Sequence, residues 1–219
     1  MPDKSLNPRV PQSELTLVES FPGETFKLRV TCLAVCVFTV CANAQTFELS
    51  LSKAAVERTG HSVLYDGSYR SIPYPGGDVP SNIGVCTDVV IRSYRRLGID
   101  LQQLVHEDMS ANFDEYPSRR IWGLDRPDSN IDHRRVPNLQ AFLQRNGTSL
   151  PVSQSAEDYL AGDIVTWRLA GNLPHIGIVT SQVSDFTGNP MMVHNIGAGP
   201  RLEDVLFEYV ITGHYRYAP

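Results

Sequence analysis

Beyond residue 44 this chain has a single cysteine, Cys86. That scarcity excludes the disulfide framework by which small exported domains are often stapled. No apolar run approaches the roughly 20 residues that a membrane-spanning helix needs. Basic tracts and aromatic–basic interleaving are missing too, which argues against a nucleic-acid partner. There is no C-x-x-C or H-x-x-x-H pair, so the common spacing of a zinc site is absent. Neither an internal repeat nor a low-complexity linker divides the chain. Charge is mildly acidic: 19 Lys+Arg against 24 Asp+Glu give a net −5 over 219 residues.

What is present begins with a segment that reads as an export signal. Lys27 and Arg29 precede an apolar run from Val30 to Val40, followed by Ala42-Asn43-Ala44. A charged n-region, a short h-region and an A-x-A site have this form. Cys32, Cys36 and Cys41 fall inside it. Val40 is a poor match to the small residue that precedes a lipoprotein cysteine, so simple cleavage after Ala44 is expected. Residues 1–26 are polar and lie upstream, which suggests a start codon assigned too early. The expected organisation is therefore an N-terminal extension with a cleavable signal peptide over 1–44 and one domain over 45–219. That domain would be periplasmic or secreted, with no stable membrane insertion after cleavage, and is long enough for a substantial core.

Helical spacing of Phe47, Leu51, Ala54 and Ala55 predicts a helix over 47–59. Residues 67–82 are rich in proline and glycine and read as a loop. A second helix is expected over 86–97, with Val90, Tyr94 and Leu97 on one face, Arg92, Arg95 and Arg96 largely away from it, and Gly98 as the stop. Asp100 can cap a short helix over 101–108. The stretch 111–137 is polar and irregular, and long for a loop without structure. A brief helix over 138–145 ends at Asn146-Gly147. Then the character changes: 163–169, 175–182, 191–195 and 205–217 are rich in Val, Ile and aromatics between turn residues, as in an antiparallel meander. Helices first and strands afterwards predict an α+β domain, helices packed on one C-terminal antiparallel sheet.

A cysteine nucleophile needs a base within hydrogen-bond reach and a third group to orient that base. Cys86 stands where a Gly-rich loop turns into a helix, a position that favours the thiolate. Of six histidines, His175 is the best base, since it opens the strand 175–179 directly after a turn. The orienting group would be His194 or Asn195, at the end of the next strand, where alternation sends the two side chains to opposite faces. Cys86, His175 and His194 could alternatively be ligands of a zinc ion. A lone cysteine in a helix can also be no more than a small core residue.

Five short motifs occur in order: Tyr74-Pro75-Gly76-Gly77, Gly84-Val85-Cys86-Thr87-Asp88, Ala161-Gly162-Asp163-Ile164-Val165, Pro174-His175-Ile176-Gly177-Ile178-Val179 and Val193-His194. This order resembles the NlpC-type, papain-like cysteine peptidases of bacterial cell walls. The wording around Cys86, of Asn130 to Asn138 and of His194 to Gly197 is similar to an exported bacterial group within that superfamily, known as a domain of unknown function. The resemblance implies an NlpC-like fold with Cys86 as nucleophile, His175 as base and His194 as third residue. It also implies that Tyr74 points its hydroxyl into the site, and that no metal or organic cofactor is required. Thr87-Asp88 replaces the family's Ser-Gly at positions lining the cleft, which makes Asp88 a candidate substrate contact, together with Asn195. Arg134 and Arg135 lie in the dense polar stretch 132–135. Arginine forks suit carboxylates, and wall stem peptides carry them, so these two are candidate substrate clamps.

The expected function is cleavage of an amide bond in peptidoglycan, with stem-peptide hydrolysis favoured over the N-acetylmuramoyl-L-alanine bond. The rivals are a non-catalytic wall-binding module and a zinc hydrolase. N-terminal sequencing of the exported protein tests the processing step: Gln45 should be the first residue, and any other would contradict cleavage after Ala44.

Overall fold

The structure, a computed structural model, describes residues 46–219. The expected signal segment and its three cysteines lie outside the described residues. Helix α1 covers 46–58. Two short parallel strands, β1 (Leu64–Tyr65) and β2 (Ile83–Gly84), bracket the Gly/Pro-rich loop. Helices α2 (Cys86–Arg96) and α3 (Leu101–Ala111) follow. At the end of α2, Gly98 takes the left-handed conformation (φ 82°) that lets the chain turn. Asp100 then caps α3, its Oδ1 accepting the Gln102 N–H at 3.0 Å. A short helix, α4 (Ser118–Trp122), and then α5 (Val136–Asn146) lead to the sheet.

The sheet has six antiparallel strands in the order β3-β8-β4-β5-β6-β7. These are β3 (Thr148–Leu150), β4 (Ile164–Leu169), β5 (Leu173–Val183), β6 (Pro190–His194), β7 (Arg201–Glu203) and β8 (Val210–Arg216). Alternation along the strands divides their apolar residues between two clusters. Ile164, Ile176, Ile178, Val193 and Tyr215 pack with helical residues such as Val90, Tyr94, Leu139 and Phe142. Val165, Trp167, Val179 and Met192 pack with Tyr159, Val205 and Leu206. Tyr94 is fully buried and donates its hydroxyl to the Tyr217 carbonyl at 2.8 Å, tying α2 to the end of the chain.

The expected α+β layering is found, with three differences. Only β4 to β7 form a meander; β8 returns to pair between β3 and β4 because the 205–209 segment is a turn rather than the start of a strand. The stretch 111–137 is not an irregular loop. It holds α4 and a 3-10 turn over Asp132–Arg134 whose three side chains are buried. Arg92, expected away from the packed face of α2, is buried too, with its fork on Asp78 at 2.9 and 3.2 Å. Short polar spacing hides such elements, because what buries them is an ion pair rather than an apolar stripe.

Candidate active site

The first turn of α2 is built from its own sequence outward. Val85 is extended and precedes the helix; Asp88, in the first turn, accepts the Val85 N–H at 2.7 Å and so satisfies one of the free donors of the helix start. A Cβ at position 84 would lie 3.2 Å from both Asp88 Cβ and Oδ2, so Gly84 makes room for that carboxylate. Arg134 closes on Asp88 as a fork, Nε to Oδ1 and Nη2 to Oδ2, both at 2.9 Å. The two side chains are 2% and 3% exposed. Thr87 adds a bond from its hydroxyl to the Arg134 carbonyl at 3.1 Å. Arg134 and Asp88 are therefore not substrate contacts in this structure: each is already paired and buried. Their geometry fixes the position of Cys86.

Cys86 is the first residue of α2 and is 5% exposed. The backbone N–H groups of Ile176 and of Thr87 point at its sulfur and favour the charged form, but burial outweighs them and pushes the thiol up to about 11. Burial thus works against the thiolate expected of a helix start. The Ile176 contact sets the sulfur against β5 immediately after His175. It falls one residue beyond the last β5–β6 pair at that end, Gly177 with His194.

The two strand histidines meet diagonally. His175 Nε2 and His194 Nδ1 are 3.0 Å apart, with the rings nearly perpendicular at 84°. Both rings lie beside Trp167, at 5.7 and 6.4 Å between centroids. A Cβ at Gly177 would stand 3.1 Å from both His194 Cβ and Trp167 Cζ3, so the glycine permits this packing. Burial lowers His175 to about 3, with the charge of His194 as the second cause. His194 is lowered by burial as well, against the opposing pull of Glu203. With Nε2 of His175 engaged by His194, Nδ1 is the ring nitrogen this contact leaves over. No thiol–imidazole hydrogen bond is formed among the described residues; such bonds often tighten only when substrate is bound.

Asn195, the other candidate orienter, is buried past the end of β6. Its Oδ1 accepts the Gly197 N–H at 3.0 Å, and its Nδ2 has no partner among the described residues. The tyrosine at the thiol is not Tyr74. That ring packs edge-on against His106 at 4.8 Å, in a loop whose Gly76 and Gly77 N–H groups are held by Asp100 and Gln102. Tyr65 on β1 stands beside the Cys86 sulfur instead: burial, then the neighbouring thiol, push its phenol up to about 12. Tyr65 was missed because nothing in its local sequence marks it; the β1–β2 pairing brings it to Cys86. Arg135 is partly exposed, bonded to Asp132 at 3.1 Å and stacked over Trp122 at 4.2 Å. A 550 Å³ open cleft runs between α4 and α5, lined by Tyr116, Arg119, Arg120, Gln140 and Gln144, but Cys86 and the two histidines do not line it.

A buried thiol at a helix start and a strand-borne histidine pair, on an α+β scaffold, are side chains of the kinds that cysteine-based acyl transfer uses. Residues 52–217 match the family described as Domain of unknown function (DUF1287), and the chain belongs to that family. It is 52% identical over 169 residues to the "Uncharacterized protein YijF" of Escherichia coli (strain K12), covering 77% of this chain and 81% of that protein. Among solved structures, NlpC1 from Trichomonas vaginalis aligns with a TM-score of 0.41 at 16% identity, over 76% of this chain and 44% of that one.

The buried Asp88–Arg134 pair yields a stability prediction. Arg134→Met leaves an unpaired buried carboxylate and should cost about 3–5 kcal/mol in urea unfolding. The double variant Asp88→Leu/Arg134→Met should recover most of that loss. Equal destabilisation in both would show that the charge pair is not what holds this turn.

Proposed function

We propose that this chain is a thiol hydrolase that cleaves an amide bond of peptidoglycan, within the stem peptide, on an NlpC-like, papain-like arrangement of helix and sheet. The observation that carries this reading is the 3.0 Å contact between His175 Nε2 and His194 Nδ1, adjacent to the strand position at which the Cys86 sulfur meets the Ile176 N–H. The two histidines meet from β5 and β6, the backbone of Ile176, next after His175, faces the Cys86 sulfur, and the motif order in the sequence supports the same assignment.

In the proposed reaction the resting pair is neutral, so proton transfer accompanies attack. The Cys86 S–H bond breaks, its proton passes to His175 Nδ1, and the sulfur bonds to the carbonyl carbon. The N–H groups of the first turn of α2, with the partial positive charge of the helix start, stabilise the oxyanion. His175 returns the proton to the leaving amine as the C–N bond breaks, and water then hydrolyses the thioester. His194 holds the His175 ring in place. Export to the periplasm or beyond, proposed from the signal segment, would bring the enzyme to its polymer. Arg135 and Asn195 remain the substrate contacts of this proposal, Arg135 because part of its guanidinium is open and Asn195 because a buried donor is unpaired.

Incubation with purified sacculi, followed by mass spectrometry of released muropeptides, tests the proposal. The wild type should release products whose masses identify the bond, while Cys86→Ala, Cys86→Ser and iodoacetamide-treated protein should release none. Loss of release with a chelator would favour zinc chemistry. Sedimentation with sacculi without release would favour a binding module, and full activity in Cys86→Ala would rule out covalent catalysis by this thiol.

A further inference from the structure

His194 has a second partner, which the reaction above does not use. Its Nε2 lies 2.9 Å from Glu203 Oε2, on a side chain that is 40% exposed. Glu203 is on β7 opposite Met192, two residues before His194 on β6, so alternation brings the carboxylate and the ring to one face. The contact has ion-pair distance but lacks hydrogen-bond alignment. A turn of the half-exposed carboxylate about its own bonds would supply that alignment without moving the buried ring. The other charged or titratable groups around this ring are His175 from β5, Arg201 directly opposite on β7, and Glu208 with Tyr209 from the segment before β8.

We propose that Glu203 is a positioning residue that sets the tautomer of His194 and, through it, decides which nitrogen of His175 is free to accept the thiol proton. The argument is one of counting protons. A single proton lies between His175 Nε2 and His194 Nδ1. If neutral His194 owns it, neutral His175 carries its own proton on Nδ1 and has no lone pair to offer there. If His175 owns it, Nδ1 is bare and basic. A carboxylate at His194 Nε2 requires the proton on that nitrogen, which leaves His194 Nδ1 as an acceptor. Glu203 thus selects the arrangement in which His175 donates from Nε2 and accepts at Nδ1. During attack, the same negative charge opposes the positive charge that passes to the histidine pair. The hold on the tautomer stands by itself; only its use in catalysis rests on the hydrolase reading.

Two readouts keep those apart. Two-bond ¹H–¹⁵N spectra of the full chain at neutral pH report which ring nitrogens are protonated. In wild type, His175 and His194 should both be protonated on Nε2. Glu203→Ala should move both rings toward the Nδ1–H form. Should that variant fold poorly, Glu203→Gln, whose amide both donates and accepts, should give a mixture of the two forms. The second readout is the rate of iodoacetamide attack on Cys86, followed by peptide mass spectrometry without any substrate. It should fall about 10- to 100-fold in Glu203→Ala, the scale on which outer partners of ring tautomers act in metal sites. Unchanged tautomers in the variants, or wild-type rings protonated on Nδ1, would overturn the proposal. Shifted tautomers with unchanged alkylation would uphold the hold of Glu203 on His194 and instead sink His175 as the base.

Discussion

The start of α2 is buried, and most of what is particular to this molecule follows from that constraint. A helix start presents unsatisfied N–H groups and a partial positive charge, which are costly to remove from water. Here Asp88 takes one of those donors, and Arg134 neutralises Asp88 with a two-bond fork. The pair and its desolvation together are poor value as stability alone, because buried ion pairs often do no better than apolar replacements. Their effect is positional. They seat Cys86 against β5 without leaving a charge unpaired, and they draw the 132–134 turn over the helix.

The same burial decides the chemistry available at rest. Desolvation raises the thiol and lowers His175, so both groups are driven toward their neutral forms. Catalysis under the proposed reaction would then be of the general-base kind, with charge appearing only as the carbonyl is attacked. Preorganised N–H groups are most effective in that situation, since they meet a charge that exists only in the transition state. Tyr65, the phenol beside the sulfur, is exposed on β1.

Much of this architecture was legible in the residues. Helical spacing marked α1 and α2, Gly98 marked the end of α2 and Asp100 the start of α3, and β-branched runs marked β4 to β6. The convergence of His175 and His194 followed from their places at facing strand ends. Elements fixed by long-range contacts were not legible. Three-residue strands such as β3 and β7 have no room for an alternating pattern, and they exist because β8 and β6 lie beside them. Arg134 looked like a substrate clamp because a fork for a carboxylate is visible in sequence, whereas its owner, Asp88, is 46 residues away. Tyr74 was named from the resemblance alone, and Tyr65 escaped notice for a similar reason: only the parallel β1–β2 pairing brings it to Cys86.

The ionisation of the Cys86 thiol bears most directly on the central claim. Thiolate absorbance near 240 nm, taken as the difference between wild type and Cys86→Ala across the pH range, isolates this sulfur from the others. A buried, neutral resting thiol predicts no thiolate signal at neutral pH and a rise only toward about 11. A thiolate already present at pH 7 alongside a protonated His175, and quenched on acidification as the sulfur takes up a proton, would mean that the helix start overcomes its burial and that the site rests as an ion pair.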